Sequence, residues 1–161
     1  MTSGRFPLLA AGSYRRSDGY RHNTDFANYN AFVRATYEAP RAGFFDLQAG
    51  YQNRTFGSNG FYAAYNPDQW EATSTALASL RWLKQAGRFS FGASASYRKN
   101  FDRYDWTRGT AMNRHNTDNV GARLWADYDW RAGTTSLGGD YALNHIYSTN
   151  PGEALSPPHG R

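Results

Sequence analysis

The feature that most constrains the fold is a strict alternation of apolar with polar or small side chains in seven separate segments. The clearest case is residues 89–98, which read Phe-Ser-Phe-Gly-Ala-Ser-Ala-Ser-Tyr-Arg. A period of two residues is typical of a β-strand whose two faces meet different surroundings. The segments are residues 8–15, 29–38, 45–52, 75–82, 89–98, 120–130 and 135–144. Most have about ten residues, the length of a tilted strand that crosses a bilayer.

Aromatic residues supply much of the apolar side of these segments. The chain has 12 Tyr, 10 Phe and 5 Trp, and its mean hydropathy is −0.78. Several segments carry an aromatic residue at each end of the apolar side, as Tyr29 and Tyr37 do. Membrane barrels have such aromatic girdles at both interfaces, whereas no run here reaches the ~20 apolar residues of a membrane helix. The sequence therefore predicts an all-β fold: an antiparallel transmembrane β-barrel segment of about seven strands.

The connections between the segments alternate in length. Those at residues 39–43, 84–88 and 131–134 are tight, whereas those at 18–27, 55–69 and 102–118 are long and rich in Asn, Asp, Gly, Tyr and Trp. Short periplasmic turns and long external loops are typical of an outer-membrane barrel. We therefore expect the first strand to run outward and residues 148–161 to begin a fourth external loop.

The predicted strands do not make a complete barrel. Bacterial barrels have an even number of strands, and an open edge in lipid leaves backbone groups without hydrogen-bond partners. Residues 1–161 are thus predicted to be a partial β-barrel domain, with further strands outside this sequence. A barrel protein must be exported, and the apolar patch at residues 8–11 is too short for a secretory signal. The true start is therefore expected upstream of Met1.

Composition and motifs argue against several other classes of protein. The chain has no cysteine, which excludes disulfides and thiolate metal sites. Its formal net charge is +5, but the arginines are spread along the chain, so nucleic-acid binding is not predicted. No serine–histidine–aspartate arrangement and no paired carboxylates stand out. We predict neither an enzyme nor a bound cofactor.

The pentapeptide Arg-His-Asn-Thr-Asp occurs twice, at residues 21–25 and 114–118. Histidine beside aspartate suits a metal site, but one histidine per copy supplies too few ligands. The favoured interpretation is structural. In it, the Asn, Thr and Asp side chains hydrogen-bond local backbone where a long connection turns into a strand. No metal site is predicted.

Three stretches carry a resemblance to a known family. They are SYRRSDGYR at residues 13–21, FGSNGFYAAYNPDQWE at 56–71 and YALNHIYSTN at 141–150. Together they resemble the barrel of TonB-dependent receptors of the Bacteroidetes type, near those described as cobalamin receptors, and the resemblance covers most of the chain. It implies a barrel of about 22 strands with a plugged lumen. It also implies energised uptake and a plug domain, absent from this sequence, that recruits the TonB complex.

The leading hypothesis is transport across the bacterial outer membrane of a scarce nutrient complex, cobalamin or siderophore-like. The expected partners are outer-membrane lipid, this small-molecule complex and, through the missing plug domain, the TonB complex. Two alternatives stay open: an outer-membrane structural or adhesion barrel, and an outer-membrane enzyme.

Two sets of residues are candidates for the site. The long connections supply the candidate substrate-binding residues Asn59, Phe61, Tyr62, Tyr65, Trp70, Trp106 and Arg108. Their aromatic rings either stack on a flat or glycosidic ligand or pack the connections onto one another. The predicted lumen-facing polar residues are Arg34, Arg81, Arg98, Arg123 and Asp127. The arginines either guide an anionic substrate or, as we favour, pair with aspartates across strands or with the plug. The facing carboxylates are Asp46, Asp127, Asp129 and Asp140.

Overall fold

The computed structural model describes residues 6–110 and 113–149 and folds them into seven strands. They are β1 (Leu8–Ser17), β2 (Phe26–Ala39), β3 (Gly43–Gly57), β4 (Trp70–Ala86), β5 (Phe89–Asp105), β6 (Asn113–Trp130) and β7 (Gly133–Thr149). Each strand is antiparallel to the next, and together they form one open sheet in chain order, with β1 and β7 at its edges. This confirms the predicted all-β, antiparallel, seven-strand arrangement. The described residues include no helix of the length and apolarity needed to cross a membrane.

The strands are longer than the alternation predicts, reaching 18 residues in β6. The extra residues lie mainly at the end of the sheet where the long connections leave it. The short connections are residues 40–42, 87–88 and 131–132, and the long ones are residues 18–25, 58–69 and 106–112. The predicted alternation in length is thus confirmed. The predicted fourth long connection falls largely on residues 150–161, outside the described part of the chain.

The strand register brings every predicted apolar side onto one face of the sheet. One row of paired residues runs through Leu8, Ala35, Leu47, Leu80, Ala95, Ala122 and Tyr141. The adjacent row on the opposite face runs through Leu9, Arg34, Gln48, Ser79, Ser96, Gly121 and Ala142. Because the pairing continues without a skipped residue, the assignment holds along whole strands. We call these two sides the apolar face and the polar face.

Two lines of aromatic residues cross the apolar face at an angle to the rows of paired residues. The upper aromatic line, nearer the long connections, holds Tyr14, Tyr29, Tyr51, Tyr97 and Tyr141. The lower aromatic line holds Tyr37, Phe45, Trp82, Phe91 and Tyr128. Relative to the register, the upper line shifts by six residues over the six steps from β1 to β7. With ~3.4 Å per residue and ~4.8 Å between strands, this is an inclination of roughly 35°.

The lower line has the same slope. From Tyr37 on β2 to Tyr128 on β6, it shifts by four residues over four steps. Eight residues separate Tyr29 from Tyr37 on β2, which is about 27 Å along the strand and about 22 Å perpendicular to the lines. The two lines therefore bound a band of constant width.

Within this band the apolar face carries apolar side chains and glycine, except for Thr135 on β7. Beyond the upper line the same face is mixed: the polar residues Asn53, Ser74, Lys99, Asp118 and His145 appear among apolar ones such as Phe101 and Leu143. No hydrophobic side chain of the described residues is buried, and large ones in the band are open, such as Leu124 at 67% and Leu137 at 80% exposure. The described part of the chain thus covers neither face of its own sheet.

Candidate functional site

The three long connections gather at one end of the sheet, and we call residues 18–25, 58–69 and 106–110 the loop cluster. Arg108 in the third connection donates two hydrogen bonds to the carboxylate of Asp25 in the first, at 2.8 and 2.9 Å. Its backbone N–H donates to the carbonyl oxygen of Asp68, at 2.9 Å. The hydrogen bond from Arg108 is the main reason that the pKa of Asp25 is lowered. The structure therefore uses Arg108, a predicted substrate-binding residue, to hold the connections together.

Asn23 ties the first connection to the second. Its φ is 52°, a left-handed conformation that asparagine adopts more readily than most residues. From there its amide Nδ2 donates to the carbonyl oxygens of Pro67 and Gln69, at 2.9 and 2.5 Å. A Cβ on Gly57 would lie 2.4 Å from the Asn23 carbonyl oxygen, so the two segments pass this closely only because residue 57 is glycine.

Two fully buried polar side chains form the interior of the loop cluster. Gln69 accepts a hydrogen bond from the backbone N–H of Tyr62 at 3.2 Å. Asp105 accepts two from the Arg103 guanidinium and one from the backbone N–H of Gly109, all at 2.8 Å. Sequence reasoning missed both residues. The spacing of Asp105 and Gly109 suits a turn and is a usable signal, whereas the position of Gln69 carries none.

Trp70 and Asn59, two other predicted substrate-binding residues, also hold the loop cluster together. Trp70 is the first residue of β4 and is half-buried. The guanidinium carbons of Arg103 and Arg108 lie 5.3 and 5.8 Å from the centre of its ring. Asn59 donates a side-chain hydrogen bond to the backbone carbonyl of His22. The packing alternative therefore fits these two residues.

The four remaining predicted aromatic residues, Phe61, Tyr62, Tyr65 and Trp106, together with Tyr104, form what we call the exposed aromatic group. Within it Phe61, Tyr62 and Tyr65 are exposed, whereas Tyr104 and Trp106 are half-buried. The rings of Phe61 and Tyr62 are perpendicular with centroids 4.9 Å apart, and Tyr62 meets Tyr104 edge-on at 5.3 Å. The rings of Tyr65 and Trp106 lie 5.9 Å apart. Phe61 is 79% and Tyr65 82% exposed. These two offer the freest surface in the exposed aromatic group.

The exposed aromatic group stands over the polar face. The Tyr62 hydroxyl donates to the carboxylate of Glu71, and Glu71 is paired with Tyr104 in the β4–β5 ladder. Both of these strand positions belong to the polar face. Partial burial, followed by the contact with Glu71, raises the pKa of Tyr62 to about 12. Tyr104 was missed at the sequence level because the clear alternation in this segment stops at Arg98.

Cross-strand ion pairs engage two of the four predicted polar-face arginines. Arg34 donates two hydrogen bonds to Asp46, at 2.9 and 2.7 Å. Arg123 donates to Asp140, its partner in the β6–β7 ladder. The favoured pairing interpretation thus fits Arg34 and Arg123.

The other predicted polar-face residues are placed differently. The Arg81 guanidinium lies 5.8 Å from the centre of the Trp125 ring, and that ring covers Gly92. Arg98 lies between Leu77 and Asn119 in the register and has no carboxylate partner within the described residues. Asp127 is paired in the ladders with two serines. Ion pairing therefore does not explain the role of Arg81 and Arg98 on this face.

Leu77 is the one large apolar residue that breaks the alternation of its segment, and the structure gives it a packing role. It lies over Gly50 on the polar face, and its Cγ is 3.4 Å from where a Cβ on Gly50 would be. A hollow of about 420 Å³ there is lined by Leu77, Phe32 and Gly50, with Asn30 and Gln52 among the polar residues around it. Gln52 donates to Asn30 at 2.8 Å.

The two identical pentapeptides adopt different structures. In the first, Thr24 hydrogen-bonds the carbonyl of Arg21 at 2.9 Å, as predicted for a local structural signal. The neighbouring His22 instead reaches another connection, with its Nε2 2.6 Å from Asp68 Oδ1. The second copy, residues 114–118, lies entirely within β6 and pairs with β5 and β7. The predicted turn is wrong for that copy, because its backbone groups are taken by two neighbouring strands.

Within residues 6–110 and 113–149, no three His, Cys, Asp or Glu side chains gather into a group that could hold a metal ion. The chain matches none of the protein-family models, curated proteins or solved structures with which it was compared.

Proposed function

We propose that this chain is part of the transmembrane β-barrel of a bacterial outer-membrane TonB-dependent receptor, which binds and takes up a scarce nutrient complex. The inclination of the two aromatic lines carries the membrane part of the proposal. In a barrel that spans a bilayer, the strands tilt by 35–45° and the aromatic girdles follow the two interfaces. Girdles therefore cross the strand register obliquely, at the tilt angle. The observed slope of roughly 35° fits this relation.

The width and chemistry of the band support the same location. Membrane barrels carry an apolar band about 25 Å tall on their lipid side, and the band here is about 22 Å wide. Most of its large apolar side chains are exposed. In water such a surface is unfavourable, with a cost of roughly 25 cal/mol per Å². Lipid removes this cost, so outer-membrane lipid is the proposed partner of the apolar face.

The open edges of the sheet support a larger barrel. β1 and β7 each have one neighbour in the described sheet. A strand edge in lipid leaves N–H and C=O groups unpaired, at a cost of several kcal/mol per group. We therefore place the remaining strands, and a plug that contacts the TonB complex, in parts of the protein outside this sequence.

The exposed aromatic group is the proposed cargo-binding surface. It stands over the polar face, which in the proposed barrel lines the lumen, so it lies at the external mouth. Phe61 and Tyr65 present flat apolar surface there, suited to a bulky cobalamin or siderophore-like complex. The hydrogen bonds of Arg108 and Asn23 hold the loop cluster in place, which reduces the conformational entropy lost on binding.

Uptake measurements in whole cells test this function. The complete protein should fractionate with the outer membrane, and cells that express it should accumulate labelled cobalamin or a ferric siderophore only when the TonB complex is intact. Outer-membrane location without energised uptake of any cargo would favour a structural or adhesion barrel. Recovery of the folded protein in the soluble fraction would contradict the barrel itself.

A further inference from the structure

We propose that the exposed aromatic group selects cargo that carries a protonated amine, and that Glu71 and Asp102 on the polar face supply the negative charge that recognises it. The inference rests on the proposed function, because it names the chemical class of cargo for the same surface. Both residues lie in strands, outside the loop cluster. They extend the proposed cargo surface from the loops onto the upper end of the sheet.

The register places the two carboxylates side by side on the polar face. Glu71 on β4 pairs with Tyr104 on β5, and Asp102 lies two residues before Tyr104 on the same side of that strand. Glu71 and Asp102 are therefore diagonal neighbours, with Cα atoms about 7–8 Å apart. Like charges at such a separation repel each other, whereas a cation bound between them is attracted by both.

Tyr62 brings the exposed aromatic group against this pair. Its hydroxyl donates a hydrogen bond to the Glu71 carboxylate, and its ring meets the ring of Tyr104 edge-on at 5.3 Å. Partial burial and the contact with Glu71 are the main reasons that the pKa of Tyr62 is raised, and the charge of Asp102 adds to the rise. Both carboxylates therefore lie close to the Tyr62 hydroxyl.

The negative charge at this place is local. Seven carboxylates of the described residues have an arginine, lysine or histidine partner, and Glu71 and Asp102 are not among them. The other carboxylates without such a partner in residues 6–110 and 113–149 lie near the short turns at the opposite end of the sheet: Glu38, Asp127 and Asp129. The formal net charge of the whole chain is +5. The aromatic group thus stands over a negative region of a basic protein.

Two basic side chains lie next to the carboxylates in the register, but they form no ion pair with them. Arg54 on β3 is diagonal to Glu71, and its guanidinium carbon lies 5.0 Å from the centre of the Phe56 ring. His115 on β6 is directly opposite Asp102. The described part of the chain therefore supplies no cation that neutralises the two carboxylates.

Asp102 has an unmet need for a hydrogen-bond donor. Its Oδ1 is buried and has no partner among the described residues, although the residue as a whole is only half-buried. Buried acceptors in proteins are nearly always hydrogen-bonded, and a charged one without a donor is unfavourable. A cation that carries N–H groups supplies both the charge and the donor.

The surroundings favour an amine over a metal ion. No three His, Cys, Asp or Glu side chains of the described residues gather into a group that could hold a metal. A protonated amine needs fewer ligands, and it is attracted to the faces of aromatic rings as well as to carboxylates. The rings of Phe61 and Tyr65 are exposed in the same group. They offer apolar surface to the rest of the cargo while the carboxylates hold its charged end.

Binding of two matched ferric complexes to the complete, folded protein in detergent tests the proposal. The probes are a linear ferric trihydroxamate with a terminal ammonium group and the same complex acetylated at that amine. Acetylation removes the charge and leaves the iron centre unchanged, so quenching of tryptophan fluorescence reports both probes alike. The wild type should bind the ammonium form roughly tenfold more tightly than the acetylated form.

Two double variants assign the preference to the carboxylates. Glu71→Gln/Asp102→Asn keeps the size of both side chains and removes their charge, so it should bind the two probes with equal affinity. The matched control is Glu38→Gln/Asp129→Asn, which removes two carboxylates from the polar face at the opposite end of the sheet. It changes the net charge by the same amount and should keep the preference for the ammonium form.

Several outcomes would overturn the proposal. They are equal affinity of the wild type for the two probes, binding of neither probe, an unchanged preference in the Glu71/Asp102 variant, and an equal loss of preference in the control. Heat-modifiable gel mobility shows that each variant has folded. Uptake of cobalamin by whole cells reports the proposed function separately. A receptor that takes up cobalamin without any preference for the amine refutes only this inference, whereas one that takes up no cargo overturns the proposed function as well.

Discussion

Arg108 and Asp25, 83 residues apart in the chain, form a bidentate ion pair that joins the third long connection to the first. Their side chains are 51% and 33% exposed, so the pair is screened by solvent. A pair of this kind contributes at most about 1 kcal/mol to stability. The pair is therefore expected to act locally: it should affect how well ordered the loop cluster is, and not whether the sheet folds.

Asp25→Asn should accordingly raise hydrogen–deuterium exchange in residues 106–110 while the sheet keeps its protection. The neutral amide cannot accept the charge-assisted hydrogen bonds from Arg108. Asp18→Asn is the matched control, because among the described residues Asp18 pairs only with Arg16, two residues away. Equal exchange in the two variants would show that the long-range pair does not order the third connection.

The same pair predicts a dependence on pH. The pKa of Asp25 lies below its ordinary value of 3.8, chiefly because of the hydrogen bond from Arg108. A carboxylate with a lowered pKa in the folded state stabilises that state above its ordinary pKa, and this contribution is lost as the pH falls through the lowered value. Exchange in residues 106–110 should therefore rise below about pH 4 in the wild type. In Asp25→Asn it should already be raised at neutral pH, and a wild-type transition near neutral pH would contradict this assignment.

The assignment of faces predicts a contrast between neighbouring positions on β5. Ala95→Arg places a charge in the middle of the apolar band, between Leu80 and Ala122, and should cost about 2–4 kcal/mol in a folded membrane barrel. Ser96→Arg, on the polar face, should cost much less. It is a better control than a change at Ser94, which lies between Arg81 and Arg123. Urea titration in lipid vesicles measures both variants, and equal losses would overturn the face assignment.

Orientation is tested with single cysteines, which is simple because the chain has none of its own. In the complete protein, Tyr65→Cys in the loop cluster should react on whole cells with a membrane-impermeant thiol reagent. Gln85→Cys, near the short turn between β4 and β5, should react only after the outer membrane is opened. Both side chains are exposed. Labelling of Gln85→Cys alone on intact cells would reverse the proposed direction of the strands.

The faces could be predicted from sequence because a period of two is a local property of the chain. Between Phe89 and Tyr97, the polarity or size of each side chain indicates the face of the sheet on which it lies. The ends of the strands could not be predicted in this way. Beyond the upper aromatic line, residues such as Asn53 and Lys99 are polar although they lie on the apolar face, so the alternation is lost. Only pairing with a neighbouring strand defines where these strands end.

The loop cluster shows a second reason for incomplete prediction. Asn23 reaches the backbone of residues 44 and 46 positions away, and no local pattern encodes such a partner. The repeated pentapeptide makes the same point, because its two copies have one sequence and two structures. In the second copy, hydrogen bonding to strands on both sides outweighs the tendency of Asn, Thr and Asp to bond their own backbone.

The cargo surface gives the prediction that separates the two roles of the aromatic residues. Phe61→Ala/Tyr65→Ala should weaken binding of the native cargo by about one to a few kcal/mol, because these exposed rings are free to stack on it. The barrel should still fold, since the strand ladder does not pass through either residue. Heat-modifiable mobility reports folding, and binding of radiolabelled cargo to whole cells reports affinity.

Two controls make this result specific. Tyr20→Ala removes an 86% exposed ring in the first connection that is outside the exposed aromatic group, and it should leave binding close to that of the wild type. Trp70→Ala removes a ring that lies 5.3 and 5.8 Å from the guanidinium carbons of Arg103 and Arg108, so it should loosen the loop cluster and raise its hydrogen exchange. If the Phe61/Tyr65 variant folds and binds each tested cargo as the wild type does, the aromatic group only packs the connections. Arg81 and Arg98, the two predicted polar-face arginines that form no ion pair within the described residues, would then be the next to test.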